Sequence, residues 1–181
     1  MNTHIMLDHE AVADGGHYTR AVLVIEGTPP DDGYVSAEPG RVPRSIEAAN
    51  RVAATNVRVV VTPGADAEFI QMRHTFESVG QGNVLTIHVG DVYCLDRIRI
   101  RMETLVGMPR SRFEPGATQE VGTAEVARVL VVSERRTREG PTVETVELPI
   151  VLSGRSGGSV RPAIFRHPLT VEPLMGRLGG E

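Results

Sequence analysis

The chain has 181 residues, of which 40% are hydrophobic, 23% charged and 4% aromatic; this apolar share suffices for a core and excludes disorder along the whole length. All 19 basic residues are arginine against 23 acidic ones, and the net charge of −4 gives no global attraction to nucleic acid. The single cysteine, Cys94, excludes an internal disulfide, and no apolar run approaches the ~20 residues that cross a bilayer. With no basic leader at the start, the cytoplasm is the expected compartment.

A first strand is expected over residues 3–9, where period two puts His4, Met6, Asp8 and Glu10 on one face and Ile5, Leu7 and His9 on the other. A largely buried strand follows over 18–26, between Gly15-Gly16 and the breaker run Gly27-Thr28-Pro29-Pro30. Beyond a Gly/Pro-rich stretch, one short helix is expected over 45–54. Ser45 is its N-cap, and Ile46, Ala49, Val52 and Ala53 share a face that could pack across an open end of the fold. Strands over 57–62, 69–72 and 84–89 are set off by Pro63-Gly64, Gly82-Asn83 and Gly90-Asp91. The clearest half-buried strand is 96–105, in which Ile98, Ile100 and Met102 alternate with Arg97, Arg99, Arg101 and Glu103. Segments 124–133 and 143–152 form a hairpin around a polar connection at 134–141, which holds Arg135, Arg136 and Arg138. About eight strands at short spacing indicate an all-β, mainly antiparallel β-sandwich with one short helix. Residues 1–152 form that sandwich domain, and the Gly/Pro-rich 153–181 reads as a C-terminal tail or extended arm.

His4, Asp8, His9 and His17, with Glu10 beside them, are the densest set of potential metal ligands, because two imidazoles and a carboxylate suit a transition metal. Strand geometry counts against the set by placing His4 and His9 on opposite faces. Cys94 lies near Asp91 and Asp96, whose charges oppose a thiolate. The chain has no nucleophile elbow, phosphate loop, dinucleotide fingerprint or His-Glu-x-x-His motif, so no catalytic residue and no cofactor are expected. Arg97, Arg99 and Arg101 form a stripe that could face an anion or a protein, and salt bridging to Glu103 and neighbouring acids is the competing explanation. With no Trp, 3 Tyr and 4 Phe, the stacking platform for nucleic acid is lacking.

Three stretches carry a family resemblance: Thr-His-Ile-Met-Leu-Asp-His-Glu at 3–10, Asn-Val-Arg-Val-Val-Val-Thr-Pro-Gly at 56–64, and Gly-Asn-Val-Leu-Thr-Ile-His-Val-Gly-Asp-Val-Tyr at 82–93. Together they resemble the β-sandwich of bacterial proteins that carry an inserted von Willebrand factor type A domain. The resemblance covers roughly residues 1–152 and implies an insertion point near 41–45, where the chain has only a short segment. The family's Asp-x-Ser-x-Ser metal loop does not occur; its nearest imitation, 153–159, puts serine at the aspartate position and adds Arg155. What the resemblance implies is therefore a scaffold without its metal-dependent adhesion site, reduced either naturally or by deletion.

The expected function is that of a non-catalytic protein-interaction or scaffold module. Its candidate surface is the rim carrying Tyr34, Arg41, Arg44, Glu47 and Arg51, and its expected partner is another protein rather than a nucleic acid or a membrane. A small metal-binding sandwich built on His4, Asp8, His9 and His17 is one alternative, and a self-assembling module is another.

Overall fold

Residues 97–102 alternate between outward and inward side chains, whereas 21–25 are apolar without interruption. A computed structural model describes residues 1–12, 16–28, 51–107, 121–137, 140–155, 160–164 and 167–173. In chain order the strands are β1 (Asn2–Ala11), β2 (Gly16–Glu26), β3 (Val52–Pro63), β4 (Ala67–Arg73), β5 (Glu77–Gln81), β6 (Val84–Tyr93), β7 (Arg97–Gly107), β8 (Val121–Thr137), β9 (Gly140–Arg155), β10 (Val160–Ile164) and β11 (His167–Pro173). They form two antiparallel sheets. The first is four-stranded in the order β1-β2-β7-β4, and the second is seven-stranded, β10-β9-β8-β3-β6-β5 with β11 also on β9.

The two sheets share one core. The first contributes Ile5, Leu23, Ile25, Ile100 and Met102, and the second Val57, Val59, Val61, Ile87, Val129, Val131, Leu148, Ile150 and Leu152, all buried. Each such side chain contributes about 1.5–3 kcal/mol when removed from water. The outward positions between them carry charge, as in β7, where Arg97, Arg99 and Arg101 are exposed while Ile100 and Met102 are buried. Packing between the sheets sets β7 over β8, β4 over β3 and β8, and β1 beside β10. In the second sheet β6 and β5 therefore continue beyond β4, the last strand of the first.

One end of the sandwich is tied by the turn between β6 and β7. The Tyr93 amide donates to the Asp96 carboxylate at 2.8 Å, the Cys94 amide to the Arg51 carbonyl at 2.7 Å, and the Leu95 amide to the Gly27 carbonyl at 2.9 Å. Cys94 is buried there, its thiol 3.8 Å from the Thr28 carbonyl oxygen.

Several details differ from the sequence expectation. No helix occurs among the described residues, and the end of the expected helix is extended, because Val52 and Ala54 pair with Tyr93 and Val92 of β6; residues 45–50 lie outside the described residues. Ladder pairing and burial of Ala54 there override the helical propensity of an Ala-rich run. Arg135 and Arg136 belong to β8 rather than to a turn, since the β8–β9 ladder runs on to Thr137 and Gly140. The division expected after residue 152 falls inside β9, and both β10 and β11 pair with that strand. β5 was not anticipated.

Candidate binding groove at the open side of the sandwich

Three residues, His74, Thr75 and Phe76, carry the chain from β4 at the edge of one sheet to β5 at the edge of the other. So short a link keeps the end of β4 near the start of β5. Between them lies a groove of about 350 Å³, walled by Pro63, Ala67, Glu68, Phe69 and Met72 on one side and by Gly80, Gly82, Asn83, Val84 and Leu85 on the other. Ala67, Phe69, Met72 and Leu85 rest on the core with one face and leave the other toward the groove.

Local sequence explains each wall. Phe69 and Met72 both point inward because Ile70 is the extra residue of a bulge: Phe69 pairs with Thr104 and Gln71 with Glu103, leaving Ile70 55% exposed. Gly82 has φ +59°, which the first position of a tight hairpin turn requires, and it fixes the register that sets Gly80 opposite Leu85. Gly80 keeps its wall open, since a Cβ there would meet only Leu85 Cδ1, at 4.0 Å. β5 is exposed throughout, and its Val79 is 60% exposed. Among the described residues β4 and β5 each pair on one side only, so backbone donors and acceptors without a described partner flank the groove.

The outer face of the first sheet carries the arginine stripe, in altered form. Arg97 is ion-paired with Glu26 at 3.2 Å and Arg20 with Glu10 at 3.4 Å. Glu103, the expected partner of the stripe, accepts instead from the Tyr18 hydroxyl, which raises the tyrosine's pKa above its ordinary value. Arg20 in turn stacks over the Tyr18 ring, 4.9 Å from its centre. Arg99 and Arg101 make no ion pair among the described residues, and β4 sets Arg73 directly opposite Arg101, where it reaches only Gln71 Oε1 at 2.9 Å.

The histidines divide as the alternation requires. His4 and Asp8 lie on the outer face, whereas His9 and His17 meet on the inner face with ring centres 5.9 Å apart. Burial and then the neighbouring His9 hold the His17 pKa below its ordinary 6.5, and its Nδ1 is buried without a hydrogen-bond partner. Among the described residues no three His, Cys, Asp or Glu side chains gather as a metal site needs. No described helix is long and apolar enough to cross a membrane. Of the expected rim, Tyr34, Arg41, Arg44 and Glu47 lie outside the described residues, and Arg51 is exposed just before β3.

No family model, curated protein or solved structure matches the chain. The groove residues Phe69, Met72, Gly80 and Leu85, and the third arginine, Arg73, were not singled out from the sequence. The available signal was the three-residue spacing between β4 and β5, too short for the two strands to lie far apart.

Proposed function

We propose that the protein is a binding module that takes an extended segment of another protein into the groove between β4 and the β5–β6 hairpin. The groove carries this reading: a concave, largely apolar surface beside the outer edges of β4 and β5, which pair with no other described strand and carry the exposed Ile70 and Val79. Such a site suits a partner strand, whose backbone pairs with an edge while alternate side chains enter the groove. A space of about 350 Å³ accepts a few side chains of such a strand.

Filling the groove tests this. Gly80→Val adds a side chain where space is free and where the backbone suits any L-residue, so the fold should persist while the groove closes. The tagged full chain should recover a partner from its source cells that Gly80→Val and Ile70→Asp fail to recover. Deleting 34–44 tests the first part of the expected rim, the stretch that carries Tyr34, Arg41 and Arg44. Loss of the partner on that deletion, with Gly80→Val behaving as wild type, would move the surface to the rim.

A further inference from the structure

We propose that Arg73, Arg99 and Arg101 form an anion site that reads acidic side chains of the segment held in the groove, an inference that rests on the groove being the binding surface. Arg73 and Arg101 are opposite each other across the β4–β7 ladder, and Arg99 is two residues from Arg101 on the same exposed face. Like charges directly opposite in a sheet repel. Among the described residues Arg20, Arg97, Arg128 and Arg135 each have a carboxylate within 4 Å, whereas Arg73, Arg99 and Arg101, like Arg51 and Arg58, have no ion pair. What sets Arg73, Arg99 and Arg101 apart from Arg51 and Arg58 is that the three gather, exposed, on one face of the first sheet in a chain whose net charge is −4.

Their place in the fold links them to the groove. Arg73 is the last residue of edge strand β4, and Met72, its neighbour, lines the groove on the opposite face of the sheet. A strand laid beside β4 would follow the same alternation, with one set of side chains over Phe69 and Met72 and the other beside Arg73. Acidic residues in that second set would meet planar guanidiniums suited to bidentate contact with carboxylate. The Ile70 bulge interrupts the β4 ladder, so backbone pairing with the guest is short and side-chain charge must supply much of the selectivity. An acidic protein segment is favoured over nucleic acid because Tyr18, the aromatic ring on this face, is already engaged by Glu103 and Arg20 and is not free to stack on a base.

The test uses the full-length protein and a short synthetic peptide in which Glu alternates with Val, with fluorescence anisotropy as the readout. An Arg-Val peptide and an oligothymidylate of equal charge serve as comparison probes. The Glu-Val peptide should bind, and replacing Arg73, Arg99 and Arg101 together by Gln should weaken it at least about tenfold and flatten its dependence on salt between ~50 and ~300 mM. Arg97→Gln, which removes an arginine already paired with Glu26, should change affinity less than about twofold. Circular dichroism melts verify that each variant folds. The inference is overturned if the peptide does not bind, if the triple variant binds it as wild type does, or if oligothymidylate binds more tightly. Loss of binding in Gly80→Val with no effect of the triple variant would keep the groove and remove the arginine site. The reverse pattern would keep the arginine site and remove the groove.

Discussion

Gly64 follows β3 so closely packed against β8 that a Cβ at that position would lie 1.7 Å from the Glu125 carbonyl oxygen. Its amide donates to the Val126 carbonyl at 3.1 Å, so the backbone cannot back away without losing that bond. Gly64→Ala should therefore cost about 2–3 kcal/mol, read as a fall in Tm of roughly 5–10 °C. Gly107→Ala is the control: its Cβ would have Asp66 O as nearest neighbour at 3.7 Å, and no comparable loss is expected. His17 carries a second prediction. Its pKa is lowered in the fold, first by burial and then by His9, so the unfolded chain takes up the proton more readily. The stability it contributes is complete above about pH 6.5 and is lost as pH falls through the folded value. Melts at about pH 7.5 and 5.5 should show a smaller acid loss for His17→Gln than for the wild type, and equal losses would refute the assignment.

Among the elements, those with a strict period were legible and those at edges were not. β7 could be read from Arg97 to Leu105 because Ile98, Ile100 and Met102 turn inward while Arg97, Arg99, Arg101 and Glu103 turn outward. β5, Glu-Ser-Val-Gly-Gln, gives no such signal, because an edge strand beyond the reach of the opposite sheet has no face to bury. Val52, Ala53 and Ala54 misled for a different reason: local propensity favoured a helix, while the pairing that makes them β3 comes from Tyr93 and Val92, some forty positions away. β10 and β11 were hidden by the glycines and prolines around them, yet together they occupy the side of β9 that β8 does not. A chain ending at residue 155 would leave that long strand with an open edge. Such a truncation should melt lower than the full chain and associate as concentration rises, measured by calorimetry and light scattering. An unchanged melt would mean that β10 and β11 add nothing to the sheet's stability.

At the scale of the whole molecule, the candidate site was illegible for the reason that makes the fold non-local. The arginine stripe was visible on β7, but Arg73 joins it only through the register with β4, and the groove exists only because two sheets end at different strands. The same topology governs how the chain folds. β8 and β9 are joined by a tight hairpin, whereas β2 pairs with β7 across most of the intervening chain, as in the Thr19 hydroxyl bond to the Thr104 carbonyl, which spans 85 residues. Local pairing costs little loop entropy and long-range pairing costs more, so the β8–β9 hairpin should be formed in the transition state and the β2–β7 ladder should close later. Ile150 on β9 and Ile100 on β7 are both fully buried, which allows the same probe at each. Ile→Val should remove about 1 kcal/mol in either place. For Ile150→Val the loss should appear mainly as slower folding, and for Ile100→Val mainly as faster unfolding. Chevron plots of the two variants decide it: the opposite assignment would place the nucleus in the long-range ladder and would mean that the first sheet organises before the hairpin it covers.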